Sequence, residues 1–399
     1  MADPTPDPRF TLRYEPETYR RIVAGKSVII HCHHYNARVQ RTVEGSSVID
    51  GKTLFREAAA SVFAEQLAGI CRADEDAAAR LRLAAALYTA LGFGSFDLGA
   101  HDLFAEGACV RAPSSHYVEG WLAGFGRPEG PVCTFSEGYL EAAIWVATGR
   151  AVEVRERACM ACGAEQCEFE VRPVEHAPAP VSRLAHDFTI TAVDYERSAN
   201  VDEQAIIDAL VAMPIIGDQQ GLIPAFGVYL ANTPADFYNQ VCIRFIEAMT
   251  EKNRARSAKR MLIADGEMCA MNTFRGIMNS AEWEGLVAPM IRETRDNLFA
   301  LVAISNGLGW GNWHITSHPD PARVSLISPN GYEALGHLEF RGPSTDPICF
   351  MLTGVAAGML ELVYGEGPID ERLGTFLGDE QACICQGEQA CRFDVQRAT

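Results

Sequence analysis

The chain writes one cysteine-bearing phrase twice. Residues 156–169 read ERACMACGAEQCEF, and residues 380–393 read EQACICQGEQACRF. Glu156, Cys159, Gly163, Cys167 and Phe169 of the first answer to Glu380, Cys383, Gly387, Cys391 and Phe393 of the second. A further cysteine precedes each phrase, Cys133 in one copy and Cys349 in the other. Three sulfurs and one carboxylate make four donors per copy, the number a structural zinc ion takes in a closed tetrahedron. The glycine between the last two cysteines lets the chain turn back so that both can reach one ion. Cys162 adds a C-x-x-C to the first phrase, but it faces Gln386 in the second, and Cys385 faces Ala161. Neither is a shared ligand, so the repeat argues for metal binding over a redox motif.

A second group is unshared. HCHHYN (31–36) puts three histidines within four residues. Read as the continuation of the β-branched run SVII, it is a strand, with His31, His33 and Tyr35 on one face and Cys32, His34 and Asn36 on the other. Histidines two apart on a strand can bind a metal, exchange protons or hold an anion. His31, His33, His34 and His116 are therefore the catalytic candidates, with a second metal at His31/His33/His34 as one outcome. Ordinary hydrogen bonding within a polar strand is the other. In the second copy MCAMNT (268–273) aligns here without any histidine. Tyr35, Phe93, Phe96, His101, His116, Trp121 and Trp145 are candidates to line an apolar pocket, against the plainer reading that the aromatic residues are core.

These residues need a scaffold, and the repeat describes it. LGFGSFDLGAH (91–101) aligns with LGWGNWHITSH (308–318), and PVCTFSEGYLEAAIWVATG (131–149) with PICFMLTGVAAGMLELVYG (347–365). Two long copies indicate a duplicated domain rather than a solenoid. LFREAAASVFAEQLAGI and DAAARLRLAAALYTAL read as amphipathic helices. The segment ending at Gly149 reads as a helix with a glycine cap. AVEVRE and CEFEV alternate and read as strands. The fold class is α+β, an antiparallel sheet with helices packed on it. RPVEHAPAPVSRLAH reads as a linker. ANVDEQAIIDALVAM, with Asn200 or Asp202 as cap, and TPADFYNQVCIRFIEAMTE read as further helices. The expected organisation is a flexible N-terminus (1–10), a first domain (11–172), a Pro/Ala linker (173–187), a helical extension (188–252) and a second domain (253–397).

The 399 residues carry 52 acidic and 34 basic side chains, a formal net charge of −18. That balance argues against a nucleic acid or an anionic membrane as partner, since both are polyanions. The N-terminal stretch lacks the basic start and apolar run of a secretory signal, so a cytoplasmic location is expected. In a reducing compartment the 13 cysteines are expected as thiols or metal ligands.

The pattern Cys133, twenty-two residues, Glu156-x-x-Cys159, seven residues, Cys167-x-Phe169 resembles the 4-vinyl reductase domain. That domain occurs in the aromatic-sensing regions of phenol- and toluene-responsive bacterial activators. It also occurs in a protein linked to vinyl reduction in bacteriochlorophyll synthesis, and in stand-alone hydrocarbon-binding proteins. The second copy departs by eight extra residues between Gly365 and Glu380. The resemblance implies two tandem ligand-binding domains, each with a zinc-binding C-terminal hairpin beside a buried pocket. The zinc would be structural, held by Cys133, Glu156, Cys159 and Cys167 in one copy and by Cys349, Glu380, Cys383 and Cys391 in the other. The activators continue into an ATPase module, whereas no G-x-x-x-x-G-K-[ST] occurs in this sequence. The expectation is a zinc-containing protein that binds a small hydrophobic or aromatic molecule for sensing or delivery, as a homodimer or with a protein output partner. The alternative is a metal-dependent enzyme using the HCHHYN histidines on an aromatic or tetrapyrrole-like substrate.

Overall fold

A computed structural model describes residues 7–98, 103–105 and 107–398. In chain order the first series of elements is β1 (Arg13–Glu15), β2 (Arg20–Val23), β3 (Lys26–Cys32), α1 (His33–Glu44), α2 (Gly51–Ile70), α3 (Ala77–Leu91), β4 (Gly94–Asp97), β5 (Cys109–Ser115), α4 (His116–Phe125), α5 (Thr134–Thr148), β6 (Val152–Ala158) and β7 (Cys167–Pro173). Helix α6 (Glu203–Ala212) stands alone. A second series follows: β8 (Ile223–Ala225), β9 (Val228–Pro234), α7 (Ala235–Glu251), α8 (Ala255–Met278), α9 (Thr294–Gly307), β10 (His314–Asp320), β11 (Arg323–Ser328), α10 (Tyr332–Arg341), α11 (Phe350–Tyr364), β12 (Phe376–Ala382) and β13 (Cys391–Arg397).

From β2 onward the two series run element for element. Each half closes its own four-stranded antiparallel sheet, β4-β5-β7-β6 in one and β10-β11-β13-β12 in the other. A third sheet, β1-β2-β3-β9-β8, joins them. Its two inner strands pair antiparallel, with Val28 opposite Pro234 and Cys32 opposite Leu230. Each inner strand leaves a tight hairpin of the same make. Ala24 and Gly25 are both left-handed (φ 49° and 76°), as are Phe226 and Gly227 (φ 54° and 72°), the geometry of a turn that follows the twist of its strands. The segment 188–252, expected as a helical extension, thus holds α6 and then β8, β9 and α7, which stand where β2, β3 and α1 stand in the first half.

Local rules explain most boundaries. Asp50 caps α2 through Thr53 N–H (3.1 Å), Asp76 caps α3 through Ala79 N–H (2.7 Å), and Asp202 caps α6 through Ala205 N–H (3.0 Å). Gly149 ends α5 in the left-handed region. Packing supplies the rest. A Cβ on Gly138 of α5 would strike the Arg56 carbonyl of α2, and one on Gly354 of α11 would strike the Ile263 carbonyl of α8. Both helix pairs therefore cross backbone to backbone.

Three expectations change. HCHHYN is not one strand: β3 stops at Cys32 and α1 begins at His33. MCAMNT lies inside α8, so it is not a strand equivalent to β3. Within the N-terminal stretch, Pro8–Phe10 form a 3₁₀ turn whose Phe10 is buried. Residues 174–200 have no regular secondary structure but are tied down. The Arg183 side chain reaches Glu65 (2.8 Å), Asp236 (2.6 Å) and Glu339, and Leu184 N–H donates to the Glu339 carbonyl (2.7 Å). No described helix is long and apolar enough to cross a membrane.

Candidate metal centres and the buried histidines

The two cysteine–glutamate phrases fold identically. Cys133 sits at the foot of α5 and Cys349 at the foot of α11. Glu156 and Glu380 come from β6 and β12. Cys159 and Cys383 follow those strands, and a one-turn 3₁₀ helix plus a left-handed glycine (Gly163 φ 98°, Gly387 φ 89°) returns the chain to Cys167 and Cys391 at the start of β7 and β13. In each half the four donor atoms lie within 4.8 Å of one another, and all eight residues are buried. Cys133 and Cys167 sulfurs are 3.8 Å apart, Cys349 and Cys391 are 3.5 Å apart, and Cys391 and Cys383 are 3.9 Å apart. A tetrahedral ion with sulfur bonds of about 2.3 Å separates its sulfurs by about 3.8 Å.

The carboxylates give the sharper test. Glu156 Oε2 accepts from Cys133 N–H (2.8 Å), and Glu380 Oε2 accepts from Cys349 N–H (2.7 Å). The other oxygen of each, Glu156 Oε1 and Glu380 Oε1, is buried with no hydrogen-bond partner. Burying a charged oxygen without a partner is costly, and a cation beside three sulfurs removes that cost. Burial, then the neighbouring thiols, pushes Glu156 up to about 8 and Glu380 up to about 9. Hydrogen bonds from Cys133 and Cys167 hold Cys159 down to about 2, so one thiolate per cluster is favoured. Cys383 is lowered in the same way by Cys349, Cys385 and Cys391. The donor set suits a borderline-soft divalent ion. Cys162 stays outside, its thiol directed at the Pro128 carbonyl (3.9 Å), and Cys385 donates to the Ala334 carbonyl (3.1 Å).

The histidines do not converge. His31, on β3, is 2% exposed among Tyr35, Trp310 and Tyr238, with ring centroids 4.3, 4.7 and 5.0 Å away. Its Nδ1 lies 3.3 Å from Cys269 Sγ, its Nε2 has no partner, and burial holds it down to about 3. His33 opens α1 and accepts at Nδ1 from Tyr229 N–H (3.1 Å). His34 packs on it at 4.1 Å. Among the described residues only the two cysteine–glutamate groups gather three such donors within 4.8 Å, so the second metal at His31/His33/His34 is not formed. The break between β3 and α1 is the reason, because it turns His33 away from His31.

His116 is fully buried. Tyr238 O–H donates to Asn36 Oδ1, and the Asn36 amide then donates to His116 Nε2 (2.8 Å). The proton of neutral His116 is left on Nδ1, which has no partner. Phe93 joins a closed aromatic group with Tyr117 (6.5 Å) and Phe135 (4.4 Å), and Phe96 stacks on Tyr88 (4.1 Å) and Tyr139 (6.2 Å). Tyr35 lies apart and donates to Met351 Sδ (2.9 Å) in the other half. Trp121 and Trp145 are half-buried, Trp121 edge-on to Phe125 (5.3 Å). His101 lies outside the described residues. The pocket residues named from sequence therefore occupy several places.

Sequence reading missed a cleft of about 290 Å³ in the second half, lined by Asn239, Cys242, Ile246, Glu333 and Phe350 among others. Its signal is the difference between α1 and α7, which becomes readable only when β3 is aligned with β9.

The family model of the 4-vinyl reductase domain matches residues 118–173, from within α4 to the end of β7. The match holds all four residues of the first cluster and agrees with the resemblance noted above. A solved structure described as the crystal structure of the phenol-responsive sensory domain of the transcription activator PoxR with phenol is similar over 41% of this chain and 84% of that one. The identity is 18% and the TM-score 0.35. No curated protein matches the chain.

Proposed function

We propose that this chain is a zinc-clasped binding protein that takes up a small hydrophobic or aromatic molecule, for sensing or for delivery to a partner. The 4-vinyl reductase domain match over the first cluster supports the ligand-binding reading. The observation that carries the clasp is the pair of buried, partnerless oxygens, Glu156 Oε1 and Glu380 Oε1, each beside three cysteine sulfurs. With Cys133, Cys159 and Cys167, or Cys349, Cys383 and Cys391, each oxygen completes a tetrahedron and leaves no open position for a substrate. The zinc, when bound, supplies charge neutralisation and ties the β6–β7 or β12–β13 hairpin to the helix that starts at the same cluster. The protein's own residues do the remaining positioning: Glu156 and Glu380 hold the N–H groups of Cys133 and Cys349, just ahead of α5 and α11.

The reading extends to both halves, with the second taken to begin near Ile223. It is tested by metal analysis of the purified chain and by calorimetry with small aromatic molecules. Two zinc ions per chain and saturable binding of one aromatic molecule are expected. Zinc-loaded protein that binds no such molecule at millimolar concentration overturns it.

A further inference from the structure

The cleft in the second half lies between α7, α8 and α10 where the chain enters α11. Cys242, Ile243, Ile246, Ile348 and Phe350 give it apolar walls. At its base stands Glu333, 4% exposed. Glu333 Oε1 accepts from Met351 N–H (3.2 Å) and Oε2 from Leu352 N–H (2.9 Å). A carboxylate offers about four acceptor sites, so about two remain. Among the described residues no basic side chain is paired with Glu333. The charges at the mouth are already matched, Lys259 with Asp346 (3.0 Å) and Arg341 with Glu247 (2.9 Å between Nη2 and Oε2).

The first half shows what this place looks like when it is closed. Pairing of β3 with β9 makes α1 and α7 equivalent, so Cys242, Ile243 and Ile246 answer to Gln40, Arg41 and Glu44. Gln40 there crosses to the Val132 carbonyl (2.6 Å), and Glu44 is drawn into the same gap beside Thr134. Helices α4 and α10 likewise align Tyr117 with Glu333. The second half has lost the polar plug and gained an acid behind the vacated space. A helix-capping role accounts for the two N–H contacts of Glu333. It does not account for an apolar cleft in front of the carboxylate.

We propose, resting on the ligand-binding reading above, that this cleft is the ligand site and that it takes an organic cation, an amine on an apolar or aromatic body, with the ammonium on Glu333 and the body against Ile246 and Phe350. Neutral mouth charges and one unpaired acid inside favour a cation over an anion of the same shape.

The test uses the full, zinc-loaded chain and three probes of one shape: 2-phenylethylamine, 2-phenylethanol and 3-phenylpropionate. Calorimetry is expected to show the amine bound at least tenfold more tightly than the alcohol, with the carboxylate excluded. Glu333→Gln is expected to lower amine affinity at least tenfold and leave the alcohol within about twofold. Cys242→Gln, which restores the plug, is expected to abolish binding of both. Ile246→Phe serves the same purpose should the first variant fail to fold, and zinc content and melting temperature report the fold in each case. Equal affinity for amine and alcohol, or amine binding unchanged in Glu333→Gln or the plugged variants, overturns the proposal while leaving a ligand site elsewhere in the chain. No binding of any probe or other aromatic molecule overturns this proposal and the ligand-binding reading together.

Discussion

Ile30 and Asn232 face each other across the β3–β9 pair, and each holds the place in its own half that the other holds in its own. That single coincidence places a local two-fold axis between them, so the two halves meet as the subunits of a symmetric dimer meet. The strands are inner and buried: Ile29, Ile30 and Ala231 are at 0% exposure. Separating the halves would expose an apolar strand edge, which invites pairing with another copy.

The first prediction follows. Two fragments, 1–187 and 188–399, made together are expected to co-purify as a one-to-one complex. The first fragment alone is expected to self-associate through β3. Size-exclusion chromatography with light scattering decides it, and a stable monomeric 1–187 would count against the paired-strand account.

The clasps give a second. Cys167→Ser and Cys391→Ser are each expected to remove one metal equivalent and to lower stability by on the order of 4 kcal/mol, because metal-binding energy is also folding energy. Mass spectrometry and denaturant titration would show it. Unchanged metal content and midpoint in both variants would refute it.

Helix contacts give a third. Gly138→Ala and Gly354→Ala each drive a methyl into the backbone carbonyl of the facing helix. Each is expected to cost about 1–3 kcal/mol, read as a lower urea midpoint. A neutral result would mean that the helices pack farther apart than the structure has them.

Acid gives a fourth. Burial lowers His31 from an ordinary 6.5 to about 3, so the folded chain binds fewer protons there than the unfolded chain. Its contribution is whole above pH 6.5 and is lost as the pH falls toward 3, by about 1.4 kcal/mol per unit. His31→Leu removes that loss. The stability difference between the natural chain and the variant is expected to move in the variant's favour between pH 6 and pH 4. Parallel profiles would exclude a neutral, buried His31.

Sequence alone made the clasps legible, since a short-range pattern of sulfur, carboxylate and glycine survives duplication intact. Amphipathic periodicity likewise gave α3, and the glycine cap gave the end of α5. The strand reading of HCHHYN failed for a reason that no local rule contains. Gly120 of α4 packs so closely on the His33 carbonyl that a Cβ there would strike it, and this crossing needs His33 in a helix. The β3–β9 pairing escaped because HCHHYN and its true counterpart, TPADFY (233–238), share no residue at any aligned position. Without that register, the replacement of Gln40 and Glu44 by Cys242 and Ile246 could not be seen.

The opening turn of α11 is gripped from two directions. Glu380, a clasp residue, holds the N–H of Cys349, and Glu333 holds the next N–H groups at Met351 and Leu352. Loosening either grip slackens the same few peptide units. Oxidised thiols at Cys383 or Cys391 would therefore be felt at Glu333, and whatever rests on Glu333 would in turn steady the sulfur cage.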